Sequence, residues 1–255
     1  MDMLVTLLTA NEAVAPSVVL VLIVASFFTS LMTATVGIGG GVLLLAVMAG
    51  SLPVAALIPV HGLVQLGSNG NRAVMTLKHI DWNMLKFFAL GAVIGAFLAS
   101  FVVVQLPLVF IQFAVAAFIL FLVWGSKPKA QEMKPAGRVM AGFVTTLVSM
   151  FVGATGPLVA AFVHRNNYSK MQITGTFASC MTLQHGLKAF VFTFVGFSFV
   201  QWAGLIVAMV LSGALGTYVG LKVLKRVPTQ KFILAFKLVV TLLAFRLLWQ
   251  AFQSI

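Results

Sequence analysis

Long uninterrupted apolar runs dominate the pattern of hydrophobic and polar positions along the chain. Five segments hold no Asp, Glu, Lys or Arg, namely residues 13–71, 87–126, 139–163, 171–187 and 189–221. About 20 apolar residues suffice for one helical crossing of a bilayer, and most of these runs reach that length. The runs are apolar all round and lack the strict alternation of a membrane β-barrel strand. The pattern therefore predicts an all-α integral membrane protein.

Composition and charge support a membrane protein. The 255 residues are 61% hydrophobic and 8% charged, whereas a soluble domain carries about a quarter charged residues. The net charge of +12 comes from basic residues in short loops beside the apolar runs, which indicates the positive-inside pattern and not nucleic-acid binding. The N-terminal segment lacks the basic residues of a cleaved signal peptide, so we expect the first helix to be retained. Cys180 is the single cysteine, which excludes an internal disulfide and a thiolate metal site.

Landmarks recur in the same order in the two halves of the chain. The sequence GIGGG at 37–41 recurs as GATGP at 153–157, Arg72-Ala73 as Lys188-Ala189, Asp81-Trp82 as Gln201-Trp202, and Pro107 as Pro228. An ordered set of matches indicates an internal duplication. We therefore predict a single membrane domain made of a first transmembrane repeat at residues 1–126 and a second at residues 127–255.

The distribution of loop charge predicts that the two repeats have opposite orientation. In the first half the loop 72–86 is basic, and its counterpart at 195–201 in the second half is uncharged. The turn at 105–108 is uncharged, and its counterpart at 222–231 is basic. Because basic loops lie on the cytoplasmic side, the repeats are predicted to have inverted topology.

This topology assigns each repeat a broken helix pair followed by three transmembrane helices. The predicted elements are a pair at 16–49 with helices at 54–75, 84–105 and 108–125, a basic linker at 127–138, and a pair at 138–164 with helices at 171–194, 199–222 and 230–251. The second pair has too few residues for two full crossings, so short or re-entrant helices are expected there. Both chain termini are predicted to lie outside.

The two glycine motifs are predicted to interrupt their helices at the centre of the protein. Glycine adopts backbone conformations that other residues avoid, and Pro157 fits the first turn of a new helix. Each helix that restarts after a motif would point its free N–H groups and positive dipole end inward, where they attract anions. The alternative is close helix packing, for which glycine is common in membranes. No Gly-Lys-Ser/Thr sequence follows, so neither motif is a nucleotide P-loop.

Polar residues at spacings of three and four form one stripe on the helix after each pair. These stripes consist of His61, Gln65, Ser68, Asn69 and Arg72 in the first half, and of Thr174, Gln184, His185 and Lys188 in the second. Polar groups of a membrane bundle usually face its interior. We interpret the stripes as the lining of a substrate path with one cation from each half. For Arg72 the alternative is a side chain that extends to the cytoplasmic surface.

These considerations define the candidate substrate-binding residues. They are Gly37, Gly39, Gly40, Gly41, His61, Gln65, Ser68, Asn69, Arg72, Gly153, Thr155, Gly156, Gln184, His185 and Lys188. The four acidic residues all fall in loops or termini, and an interior without carboxylates suits a negative substrate. His61 and His185 are the candidate groups for proton coupling, and the alternative for both is a hydrogen bond between packed helices.

The motifs resemble those of the sulfite exporter TauE/SafE family, also called the toluene sulfonate uptake permease family. The residues that carry the resemblance are the glycine motif 37–41, the sequence LPVAA at 52–56, the polar helix that ends at Arg72 and the loop KHIDW at 78–82. The resemblance implies a multi-pass carrier of the bacterial inner membrane that moves sulfite, sulfonates or related anions. It also implies secondary transport, with export favoured.

The function predicted from these observations is a permease for a small anion, sulfite or a small organosulfonate, working by alternating access. The alternatives are an anion channel, a carrier of a small carboxylate, and a membrane scaffold subunit. An enzyme is not expected, because no nucleophile with its base and no metal-ligand cluster is visible. The expected partners are the anion, the lipid bilayer, a coupling proton and a second copy in a homodimer. No nucleic acid, cofactor or metal is expected.

Overall fold

The computed structural model describes residues 3–37, 39–103, 107–125, 133–163, 168–223 and 229–253. These residues form α-helices joined by short turns, with no strand among them. The helices are α1 (Met3–Leu8), α2 (Pro16–Val36), α3 (Gly40–Ala49), α4 (Val54–Met75), α5 (Trp82–Ser100), α6 (Leu108–Trp124), α7 (Pro135–Val152), α8 (Gly156–Val163), α9 (Lys170–Phe194), α10 (Ala203–Val223) and α11 (Thr229–Gln253). The prediction of an all-α fold is confirmed.

Most helix boundaries lie within a few residues of their predicted positions, and two differences stand out. The short helix α1 was not predicted, and α5 ends at Ser100 where the apolar run suggested residue 105. The backbone N–H groups of Val102 and Val103 both donate to the carbonyl of Ala99, so the chain turns before the run ends. Several residues used in the loop-charge and motif arguments, at 38, 105–106, 126–132, 164–167 and 224–228, lie outside the described residues.

Four helical segments among the described residues are long and apolar enough to cross a membrane by length and composition. They are Pro16–Val36, Trp82–Ser100, Pro135–Val152 and Val200–Lys222. The helices α4 and α9 are as long, but the polar stripes that they carry lower their mean hydropathy. These spans indicate a multi-pass membrane protein.

Two pairs of packed helices each combine one helix from the first half of the chain with one from the second half. In both pairs the two helices run parallel. Helix α5 packs on α7, with Gly91 against the backbone of Val139 and Gly95 against that of Phe143. Helix α10 packs on α2, where Gly213 faces Ser26 and later residues of α10 face later residues of α2. Small residues at such contacts let the two backbones approach closely, as is common between membrane helices.

Two further pairs run antiparallel. Helices α4 and α9 lie side by side at the centre, where Gly70 faces Thr182 and Gly186 faces Leu66. Helix α6 packs on α11: Phe113 near the start of α6 contacts Phe252 at the end of α11, and its last residue, Trp124, donates a hydrogen bond to Thr241 in the middle of α11. The elements α4 and α6 begin, and α5, α9 and α11 end, at one end of the bundle. We call this end the outer end, following the topology predicted from loop charge, and the opposite end the inner end.

Candidate functional site

Both glycine motifs interrupt their helices. Gly37 ends α2 with a φ of +90°, and Gly39 precedes α3 with a φ of +101°. In the second half Gly153 ends α7 with a φ of +85°, and α8 restarts at Gly156. L-amino acids with a Cβ rarely adopt these positive φ values, which explains the glycines at these breaks.

The two breaks meet at one small buried cavity in the centre of the bundle. Its volume is about 20 Å³. It is lined by Thr33, Gly39, Gly41, Val42, His61, Gln65, Asn69, Ala154, Pro157, Phe177, Met181 and His185. A cavity holds one water at about 10–15 Å³, so this space admits a water and not a sulfite ion in this conformation. In this conformation the cavity is therefore too small to hold the anion.

Helices α3 and α8 both begin at this cavity. Gly41 lies in the first turn of α3, and Pro157 lies in the first turn of α8. The first N–H groups of a helix have no partner within that helix, and the helix dipole places positive potential there. The cavity therefore receives the positive ends of two helices from opposite halves of the chain.

The first polar stripe connects α4 to the first break. The ring nitrogen Nε2 of His61 donates to the carbonyl oxygen of Gly41 at 2.9 Å. Ser68 shares a hydrogen bond of 2.9 Å with Ser30 of α2. The Asn69 amide donates to the backbone and side-chain oxygens of Gln65 on its own helix. The contacts of His61 and Ser68 hold α4 against the broken pair.

The second polar stripe connects α9 to the second break through a network of hydroxyl groups. The Thr155 hydroxyl donates to Oε1 of Gln184 at 2.7 Å. The amide of Gln184 donates in turn to the hydroxyls of Thr145 and Thr146 on α7, both at 3.1 Å. His185 faces His61 across the cavity, with ring centroids 6.0 Å apart.

Lys188 is fully buried and holds the end of α7. Its ammonium group donates to the carbonyl oxygen of Gly153 at 2.6 Å. Gly153 follows the last turn of α7, where the helix dipole is negative. The lysine therefore neutralises a helix end at the break, and it lies next to the cavity without lining it.

Arg72 is also buried, at 1% exposure, which rules out the alternative in which it extends to the cytoplasmic surface. Its Nη1 donates to Oδ1 of Asn69 at 3.4 Å, and its Nε has no hydrogen-bond partner among the described residues. Lys188 lies beside Gly62, ten residues before Arg72 in the same helix. At about 1.5 Å per residue, the backbone positions of Gly62 and Arg72 are about 15 Å apart along α4, so the two cations reach the centre from different levels of the bundle.

The structure brings the candidate residues to one region, in two groups. Gly39, Gly41, His61, Gln65, Asn69 and His185 line the cavity. Gly37, Gly40, Ser68, Arg72, Gly153, Thr155, Gly156, Gln184 and Lys188 surround it in the two breaks or in the stripes that hold them.

Sequence reasoning missed the polar residues on the helices that precede the breaks. Thr33 of α2 lines the cavity, and Thr145 and Thr146 of α7 anchor Gln184. The available signal was a row of buried hydroxyls before each glycine motif. It comprises Ser26, Thr29, Ser30 and Thr33 in α2, and Thr145, Thr146 and Ser149 in α7.

The sequence matches the protein family described as Sulfite exporter TauE/SafE over residues 22–247. No curated protein matches the chain, and no solved structure does. The matched segment includes both glycine breaks, both polar stripes and the cavity between them. The chain therefore belongs to the sulfite exporter TauE/SafE family, whose members are membrane transporters of sulfur-containing anions and not enzymes.

Proposed function

We propose that the protein is a secondary carrier that moves sulfite or a small organosulfonate across a bacterial inner membrane by alternating access. The substrate binds between the N-termini of α3 and α8. The observation that carries this proposal is the convergence of both helix starts on one buried cavity.

The chemistry of this cavity favours a negatively charged oxygen ligand. Two helix N-termini offer backbone N–H donors together with positive potential. Buried Lys188 and Arg72 add positive charge on either side, where water screens charge less than at a surface. Among the described residues that line the cavity there is no carboxylate. A sulfite or sulfonate group presents three oxygens that such donors can hold.

The helix directions support inverted repeats. A two-fold axis in the membrane plane places equivalent helices antiparallel, whereas an axis along the membrane normal would place them parallel. The equivalent helices α4 and α9 are antiparallel. Equivalent residues of the two halves, such as Arg72 and Lys188, are 116 residues apart. By this offset Leu66 is equivalent to Thr182, and Gly70 is equivalent to Gly186. The contact of Leu66 with Gly186 therefore has an equivalent in the contact of Thr182 with Gly70, and the structure contains both.

A difference between the two ends supports alternating access. At the inner end Thr76 packs against Gly175, so closely that a Cβ at position 175 would lie 3.0 Å from the Thr76 carbonyl oxygen. By the same offset, Thr76 is equivalent to Phe192, and Gly175 is equivalent to Pro59. At the outer end these two residues line a cavity of about 310 Å³. The contact is therefore close at the inner end, whereas the equivalent residues at the outer end border a cavity, as expected of a carrier whose two ends close in turn.

Additional hydrogen bonds hold the inner end closed. Asp81 caps α5 with its carboxylate, which also accepts a hydrogen bond from the Tyr168 hydroxyl. The backbone N–H of Asp81 donates to the Thr176 hydroxyl at 2.9 Å. These bonds join the first half of the chain to the second. On this proposal, they break when the inner end opens.

Counterflow in proteoliposomes tests the proposal. Vesicles that contain the purified protein are loaded with unlabelled sulfite, methanesulfonate, sulfate or acetate. Uptake of labelled sulfite is then measured under anaerobic conditions, because oxygen oxidises sulfite. A carrier is accelerated by its substrate on the opposite side, so sulfite or methanesulfonate inside should speed uptake more than acetate does. Uptake that is insensitive to the internal anion would indicate a channel, and an absence of uptake would favour a scaffold.

A further inference from the structure

A second polar pocket lies at the outer end, where α3 ends, α4 begins and α11 ends. Its volume is about 430 Å³. It is lined by residues 49–54 and by three glutamines, Gln112, Gln250 and Gln253. It is separate from the central cavity, because the ten residues of α3 lie between the two, a distance of about 15 Å at 1.5 Å per residue.

Gln112 is the feature of this pocket that points to a ligand. It lies on the otherwise apolar helix α6, is only 8% exposed and lines the pocket. Its side-chain amide has no hydrogen-bond partner among the residues that the structure describes. The side chain as a whole is buried, but its amide is not among the fully buried polar atoms, so a molecule in the pocket can reach the amide and bond to it.

The surroundings of Gln112 select a negative partner. Helix α4 starts in the pocket, and its N-cap residue, Pro53, makes no side-chain capping hydrogen bond, so the N–H groups of Val54 and Ala55 and the positive dipole end remain available. The Arg246 guanidinium lies against Gly50 of the pocket wall and donates to its carbonyl oxygen at 3.4 Å. The residues known to line the pocket include no carboxylate.

We propose that this pocket is a second anion site, which binds an oxyanion group of sulfonate, sulfate or phosphate type. The Gln112 amide donates to an anion oxygen, the start of α4 supplies positive potential, and Arg246 adds charge at the rim. The oxyanion belongs either to a dissolved ion or to a lipid headgroup, which present the same oxygens. The site is argued from its own residues and does not depend on the carrier mechanism.

The test counts anion sites on the full-length protein, delipidated in an uncharged detergent. Binding of labelled sulfate, phosphate and methanesulfonate is measured by equilibrium dialysis, and retained phospholipid by native mass spectrometry. The variants are Gln112→Leu, which removes the donor, and Gln112→Glu, which keeps the shape and adds a negative charge. Ser100→Ala is the control, because Ser100 lies at the outer end and bonds only within α5.

The expected result is that both Gln112 variants lose one site, or bind at it at least about tenfold more weakly, while Ser100→Ala matches the wild type. A lost site for dissolved anions identifies a solute site, and a lost bound phospholipid identifies a headgroup site. The test compares the number of binding sites in the wild type with the number in each variant. Its result is therefore valid whether or not the central cavity also binds an anion. Equal site numbers, affinities and lipid content in wild type and both correctly folded variants would overturn the proposal.

Discussion

The two glycine breaks are related by the same offset in sequence, yet side chains brace them differently. At the second break Lys188 holds the Gly153 carbonyl, and Gln184 links Thr155 to α7. At the first break the cation equivalent to Lys188 is Arg72, and among the described residues its side chain makes one long hydrogen bond, to Asn69. The second break is therefore fixed by a charge and a hydrogen-bond network, while the first break leaves its cation with unused donors.

This difference suggests a division of roles. We infer that Lys188 keeps α7 and α8 in place for a substrate to bind against, whereas Arg72 has hydrogen-bonding capacity left for a passing anion. Substitutions at the two breaks and at the inner end examine this division, in order of decreasing expected effect.

The largest effect is expected at Gly40, in the first break. A Cβ at this position would overlap the carbonyl oxygen of Thr29, so Gly40→Ala should prevent correct folding or lower thermal stability strongly. At its equivalent in the second break, Gly156, a Cβ would meet just the ring of Phe177 among the described residues, at an ordinary 3.6 Å. Gly156→Ala should therefore fold normally. Thermal unfolding of both purified variants measures the contrast, and equal stabilities would show that the two breaks tolerate side chains alike.

Lys188→Met should abolish transport, with a loss of at least about 100-fold, because it removes a buried charge and leaves the Gly153 carbonyl without its donor. It should also lower stability by about 1–3 kcal/mol, the cost of an unpaired buried group. The matched control is Lys222→Met, since Lys222 is exposed beside the ring of Tyr218. Wild-type uptake by Lys188→Met would contradict the role given to this lysine.

Arg72→Gln should reduce transport by about tenfold, a smaller loss than at Lys188, since one cation near the cavity remains. Its stability should be unchanged or higher, because the substitution removes a buried charge that makes one long hydrogen bond. Uptake and unfolding measured on the same preparation separate the two effects. A large loss of stability would show that Arg72 braces its break as Lys188 does.

Tyr168→Phe should have the smallest effect, a change of about threefold in the counterflow rate, because it removes one hydrogen bond from the inner end. The bonds of Asp81 to the start of α5 and to Thr176 would remain. The measurement is the initial rate of exchange at saturating sulfite, with Ser100→Ala as the control. An unaltered rate would exclude the Tyr168 hydroxyl from the closure of the inner end.

Much of the fold could be predicted because the apolar runs are bounded by residues with clear local preferences. Pro53 precedes α4, and the predicted span 54–75 agrees with Val54–Met75. The end of α5 was misplaced because residues 101–104 are as apolar as the helix before them. No glycine or proline in this stretch marks the turn that the structure makes after Ser100.

The candidate site was predictable only in part, for a similar reason. The glycine motifs and stripes repeat, so their convergence follows from the duplication. The bond from Lys188 to Gly153 and the contacts of Gln184 with Thr145 and Thr146 depend on the distance between α7 and α9. A pattern along the chain does not contain that distance. Gln112 was missed because a single glutamine in an apolar helix has no periodic signal.

The most direct test of the central claim is to locate a bound anion. Selenite has the shape and charge of sulfite, and its selenium atom can be identified by anomalous diffraction in crystals of the full-length protein. The account predicts a selenium position between the first turns of α3 and α8, with its oxygens in hydrogen-bonding contact with the backbone around Gly39–Gly41 and Ala154–Gly156. Selenium at saturating concentration found only elsewhere, with this cavity empty, would contradict it.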